Sequence, residues 1–241
     1  MRLAMWSGPR NLSTAMMYAF GNRADFDVVD EPFYASYLVK TGLNHPMRQD
    51  VIASQPHDPK DVVQGMLGPI PNGCPHVYHK HMTQHMLPEI DLAWMADVTN
   101  VFLIRHPARV AKSFAVKYDG FGADELGFRR QWELFEHARS LGQSPVVVDS
   151  SDIRANPSAM LSNLCAAIGL KFSDDMLSWP QGGHARDGVW AQHWYGAVHR
   201  SIGFDGPESQ MPQLSGALDE LVKEAMPYYD KMCQFKLSPV R

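Results

Sequence analysis

The 241-residue chain carries 22 Lys and Arg against 26 Asp and Glu, a formal net charge of −4, with 45% apolar residues. That suits one globular domain with a substantial core, and it excludes a broadly basic nucleic-acid binder while leaving room for a local basic pocket. Cys74, Cys165 and Cys233 fall in no zinc or CxxC spacing and read as reduced thiols; with no apolar run near the roughly 20 residues that span a bilayer and no signal-peptide pattern, the expectation is a cytoplasmic protein without membrane or nucleic-acid partners.

A short apolar run at 3–6 predicts a buried strand, and 15–20 predicts the helix after it. Between them lies Gly8-Pro9-Arg10-Asn11-Leu12-Ser13-Thr14. The first amides of a helix lack internal partners and its dipole concentrates positive charge there, so this turn is a candidate phosphate or sulfate site. Arg10 adds a full charge, and Ser13 and Thr14 add hydroxyl donors. It is not a Walker A loop, because Leu12 and Ser13 stand where that pattern puts Gly and Lys. The plain alternative is an ordinary capped helix.

Runs at 26–30, 76–79, 101–104 and 145–148 follow, separated by helical or loop stretches. They look like strands buried on both faces of a parallel sheet with right-handed crossovers. Ligands of such sheets bind beyond the carboxyl ends of the strands, so polar residues just after each run are the first candidates. After the second run, Asp30 and Glu31 either point at that crevice or, for Asp30, cap the next helix. Residues 42–75, rich in Gly, Pro, Asp, Asn and His with a helical patch at 58–66, read as an excursion over the mouth of the site, a lid or substrate wall.

After the third run, Lys80, His81, Gln84 and His85 crowd one strand end. His81 and His85 are four apart, but without an intervening Glu or a third ligand they point to a base or substrate contact rather than a metal. After the fourth run come Arg105, Pro107 at a helix start, and Ser113 about two turns on. A fork-shaped cation with a nearby hydroxyl suits a phosphate monoester, unless Arg105 merely pairs with an acid. The helix at 125–141 shows Phe128, Trp132, Phe135 and Ala138 on one stripe, a core-packing face, and a helix at 158–168 ends at Gly169. From 172 the chain turns loop-like through Arg186, Asp187 and Gly188. Trp190, Trp194 and Tyr195 then either line an acceptor pocket or pack the late helix. The helix at 214–233 should cover the sheet, bent or split at Pro227.

Two of these stretches resemble one family in order and in structural context. Pro9-Arg10-x-x-Ser13-Thr14 resembles the 5′-phosphosulfate loop of the sulfotransferases that use 3′-phosphoadenylyl sulfate (PAPS), which reads Pro-Lys-Ser-Gly-Thr-Thr; Arg10 takes the place of its lysine. Arg105-x-Pro107 with Ser113 resembles that family's 3′-phosphate motif, with His106 in place of Asp. Arg186-Asp187-Gly188 resembles its late Arg-Lys-Gly loop, with Asp187 in place of Lys.

The resemblance, to a bacterial-type member of the P-loop sulfotransferase superfamily, implies a single α/β domain over 1–241. A P-loop-type parallel sheet of about five strands would be flanked by helices, with 172–241 as a C-terminal helical cover. It implies PAPS as donor, adenosine 3′,5′-bisphosphate (PAP) as product, no metal, and a small-molecule hydroxyl or amine as acceptor. Gly8, Pro9, Arg10, Asn11, Leu12, Ser13, Thr14, Arg105, Ser113, Arg186 and Gly188 would hold the nucleotide, and Arg10 would stabilise the leaving phosphate. The base would be His81, which follows Lys80 as the histidine follows lysine in the Lys-Thr-His motif but one residue sooner, or Glu31, which follows the second strand as a base glutamate does in several bacterial and carbohydrate sulfotransferases. The rival readings are a P-loop kinase-like phosphotransferase using Asp30 for Mg²⁺ and a non-catalytic nucleotide-binding module on the same fold.

Overall fold

The computed structural model describes residues 1–118 and 120–238. Its strands are β1 (Arg2–Ser7), β2 (Phe26–Asp30), β3 (His76–Met82), β4 (Thr99–Ile104) and β5 (Val146–Asp149), paired in parallel in the order β2-β3-β1-β4-β5. The connections carry α1 (Ser13–Gly21), α2 (Tyr34–Thr41), α3 (Arg48–Ser54), α4 (Pro59–Leu67), α5 (Pro107–Ala115), α6 (Ala123–Leu126), α7 (Phe128–Ser140), α8 (Ser150–Ala155), α9 (Pro157–Ala167), α10 (Ala191–Trp194) and α11 (Ala217–Cys233).

Alternation along the strands divides the core in two. Leu3, Met5, Tyr78, Val101, Leu103 and Val148 pack under α1, α2 and α9. Ala4, Trp6, Phe102, Ile104 and Val147 pack on the other side against α4, α7 and the 86–98 stretch. β1, with both sides covered, is the centre of the sheet, which explains why its four-residue core reads as unbroken apolar sequence.

Several elements differ from expectation for physical reasons. β3 runs on to Met82, so His81 lies inside the strand rather than after it. The predicted helix at 125–141 is broken into α6 and α7 by Gly127, at φ 75°, where an added Cβ would stand 2.5 Å from Thr83 Oγ1. The 42–75 stretch holds α3 as well as α4. The Arg2 guanidinium donates to the carbonyls of Met66, Leu67 and Gly68, binding the end of α4 to β1. Of this stretch, His45 lines the main cavity. α11 continues through Pro227 as one element and packs on α5 and α7.

Candidate functional site

β1 delivers the chain into the candidate anion loop. Gly8 is required by close approach: a Cβ there would lie 2.6 Å from the Leu126 carbonyl oxygen. Gly8 does not itself line the cavity; Pro9 to Ala15 do. Arg10 (φ 59°) and Leu12 (φ 69°) are left-handed, an alternation that curls main-chain amides around a concavity. Leu12 is the N-cap of α1 and no side chain caps the helix, so its leading amides are free for an external acceptor. The ordinary capped helix is thereby set aside. Asn11 anchors the loop by donating to Leu103 O from its amide, and its buried Oδ1 has no partner.

The loop and the end of β4 are tied together. Arg105 Nη1 donates to Arg10 O at 2.6 Å, and Arg10 Nε donates to Ser113 Oγ on α5 at 3.0 Å. Burial, with Arg105 adjacent, holds the Arg10 guanidinium below its ordinary pKa. Both sequence-predicted anion groups therefore share one wall of a 230 Å³ cavity.

Glu31, Lys80 and Tyr195, which also line the cavity, belong to a buried ionic cluster. Lys80, 1% exposed, donates from Nζ to Asp30 Oδ1 at 2.9 Å, and to Glu31 Oε1 and the Tyr195 hydroxyl. The Tyr195 hydroxyl lies 2.8 Å from Asp30 and accepts from Trp190 Nε1 at 3.0 Å. Burial opposes the charge on Lys80, but Asp30 and Glu31 outweigh it and hold the ammonium above its usual pKa. Burial pushes the Glu31 carboxyl up; Lys80 opposes that shift and Asp30 adds to it. Glu31 sits at φ 41°, held by its amide donating to Lys80 O and by Gln55 Nε2 donating to Glu31 O. A left-handed glutamate in a cleft is the kind of outlier that marks a functional residue.

Glu31 Oε2 lies 4.0 Å from His85 Nδ1, a buried atom without a hydrogen-bond partner. His85 is stacked between Tyr34 and Tyr37, and burial drives its pKa far below that of a free imidazole, so it is neutral. Sequence reasoning placed Lys80 beside the site only as a motif neighbour. Its role at the centre of three polar side chains depends on β3 presenting Lys80 and Met82 to the cavity, a register no local pattern announces.

The same register removes His81. Its ring lies on the other side of the sheet, stacked on Trp6 at 4.4 Å and beside Phe33 and Trp94, with Nε2 buried and unpartnered. It does not face the cavity. His81→Phe is expected to leave transfer rates unchanged and to shift unfolding free energy by less than about 1.5 kcal/mol, as for a shape-conserving core swap; a rate loss of orders of magnitude would return His81 to the site.

Arg186 and Gly188 also lie outside the cavity. Arg186 is engaged by Asp27, near the start of β2, with Nε donating to Oδ1 at 3.0 Å. Gly188 N donates to Asp30 Oδ2 at 3.1 Å, and Asp187 accepts from the Tyr18 hydroxyl and His184 N. The Arg-Asp-Gly stretch is thus a brace on β2 and α1. Trp190 is core, whereas Trp194 and Tyr195 line the cavity.

Arg105 has an acidic partner the sequence did not reveal. Glu208, from the irregular stretch before α11, receives Arg105 Nε at 2.8 Å on Oε1, while Oε2 faces Arg109 Nε at 2.8 Å and Arg154 Nη1 lies 3.7 Å from Oε1. The Glu208 side chain is 4% exposed. Arg105 is therefore bonded to the candidate anion loop on one side and occupied by a carboxylate on the other. Among the described residues, no group of three His, Cys, Asp or Glu is placed to hold a metal ion, and no helix is long and apolar enough to cross a membrane.

Residues 1–235 match the sulfotransferase domain family. The chain is 30% identical over 233 residues to branched-chain-amino-acid aminotransferase-like protein 2 of Arabidopsis thaliana, and 32% identical over 226 residues to protein 1 of the same name. These matches cover 96% and 93% of this chain but 41% and 40% of those proteins, so it spans about two fifths of the length of the curated relatives it matches. The fold is similar to the sulfotransferase domain from the curacin biosynthetic pathway (TM-score 0.57, 17% identity, 98% of each chain). It is also similar to the sulfotransferase domain of the Synechococcus PCC 7002 olefin synthase (0.54, 15%, 95% of this chain and 94% of that one). A sulfotransferase from Alicyclobacillus acidocaldarius gives 0.54 at 10% identity, over 95% and 93%.

Proposed function

The chain belongs to the sulfotransferase domain family, and we propose that it moves a sulfuryl group from PAPS to a hydroxyl or amine of a small-molecule acceptor, leaving PAP. The observation that carries this reading is the shared wall: the Arg105 guanidinium donates to the Arg10 carbonyl while the Arg10 guanidinium reaches Ser113. Two anion-binding groups so joined suit one nucleotide with phosphates at both ends of its ribose. The uncapped start of α1 fits the 5′ side. On the other side, three arginines face the Glu208 carboxylate, with Asp205 3.9 Å from one of them, Arg154, which still leaves positive charge in excess and suits a phosphate dianion.

The donor supplies the activated sulfuryl group, whose bond to the 5′-phosphate oxygen breaks as the acceptor attacks. The chain positions the partners and stabilises charge. Arg10, fixed by Ser113, lies where it can neutralise the departing phosphate. Glu31 takes the acceptor proton on Oε2, because Oε1 is occupied by Lys80 and Tyr195. Tyr34, His45, His85 and Phe114 give the acceptor a partly apolar wall. The kinase reading loses its metal holder: Asp30 is already engaged by Lys80, Tyr195 and Gly188 N.

Thermal shift with PAP, adenosine 5′-phosphate and ATP with Mg²⁺ tests the donor class. PAP should stabilise most, by ligand linkage; a larger shift with ATP and Mg²⁺ overturns the reading. Arg105→Ala should weaken PAP by about 10–100-fold, the worth of one charged hydrogen bond, and adenosine 5′-phosphate by less than about threefold. Equal losses in titration calorimetry would contradict the second phosphate position.

A further inference from the structure

Glu208 stands on the arginine that the donor's second phosphate would need, and the segment that carries it has an unusual anchorage. Residues 205–211 form no helix or strand, and every side chain among them is exposed except that of Glu208. No apolar residue there is buried. What holds the segment is the arginine cluster: Arg105, Arg109 and Arg154 meet the Glu208 carboxylate, Arg154 Nε donates to Gly206 O at 3.0 Å, and Arg109 donates to Ser209 O. Phe204, just before it, and Asp205, its first residue, line the cavity. A segment secured by charge alone opens at little cost in apolar burial, and an anion that satisfies the same three cations better will release it.

We propose that Glu208 is a built-in competitor for the donor's second phosphate. It fills the Arg105–Arg109–Arg154 cradle in the free protein, is expelled when a nucleotide carrying a 3′-phosphate binds, and takes the 205–210 segment away from the cavity with it. The proposal rests on the donor reading above. A phosphate brings up to two charges and three acceptor oxygens to guanidinium forks that Glu208 serves with one charge and two oxygens. A nucleotide with a 5′-phosphate alone has nothing to offer the cradle, so the segment stays shut over it. The latch would therefore lower the apparent affinity for both donor and product while leaving monophosphates nearly untouched, so that product is released more readily.

The test is calorimetry of PAP and adenosine 5′-phosphate on the wild-type protein and on Glu208→Gln, a substitution of the same shape. A cradle closed about nine times in ten lowers apparent affinity about tenfold. Glu208→Gln should therefore bind PAP about tenfold more tightly and adenosine 5′-phosphate within about twofold of wild type. Unchanged or weaker PAP binding would overturn the latch and leave Glu208 as a group that merely positions the arginines. A co-crystal with PAP gives an independent readout: Glu208 should be out of the cradle, and its carboxylate still between the three guanidinium groups overturns the proposal. Failure of the donor reading looks different, because then neither protein prefers PAP to the monophosphate, and the latch falls with it.

Discussion

Glu31→Gln is expected to slow single-turnover sulfuryl transfer by about 10²–10⁴-fold, the usual worth of a positioned general base, while PAP affinity stays within about twofold of wild type. The amide keeps the shape of the carboxylate and can still accept from Lys80, but it cannot take a proton from an attacking hydroxyl. Glu31 is distinguished from the cluster's other carboxylate by its surroundings. Asp30 is bonded on both oxygens, whereas Glu31 Oε2 looks toward the cavity past a neutral His85. Burial also raises the Glu31 pKa, making it a stronger base than an exposed carboxylate. The sign of the pH dependence follows. The base works ionised, so kcat/KM should fall as pH drops through a value above the ordinary carboxylate range, and Glu31→Gln should lack that acid limb. Rapid-quench measurement with labelled donor checks the rate. A variant retaining wild-type turnover would move the base elsewhere.

What the sequence discloses and what it conceals divide along physical lines. Strands buried on both faces leave a plain signal, so the five runs are legible, as is the loop after β1, whose proline, arginine and hydroxyls are contiguous. β3 is the instructive failure. His-Val-Tyr-His-Lys-His-Met is apolar at only three of its seven positions, because Lys80 is buried by pairing with Asp30 and Glu31 rather than by being apolar. That pairing hides the strand's true end and with it the side on which His81 lies. Glu208 was illegible for another reason. Its partners are far off in sequence, Arg105 by 103 residues, and no periodicity governs the stretch it comes from. Arg186 shows the reverse error: a tripeptide similar to a family loop reads as a phosphate contact, while Asp27, a strand residue with no motif of its own, takes that guanidinium.

Lys80→Met is expected to destabilise the fold by about 3–5 kcal/mol at neutral pH, the cost of breaking a buried ion pair from one side. Methionine fills nearly the same volume, so little of the loss comes from a cavity; it comes from Asp30 and Glu31, which are left side by side, buried, without a cation. With Lys80 gone, burial and the neighbouring carboxylate raise the Glu31 pKa further. Stability from groups with raised folded-state pKa values is present at low pH and lost as pH rises through them. The deficit relative to wild type should therefore narrow as pH falls from about 7.5 toward about 5.5. Urea unfolding at both pH values measures it. Adding Glu31→Gln to Lys80→Met should recover part of the loss, since one of the two stranded charges is gone, and double-mutant analysis should report a coupling between the sites. A deficit that is equal at both pH values and unrelieved by the second substitution would mean that Lys80 acts by packing, and that the cluster does not hold Glu31 in place by charge.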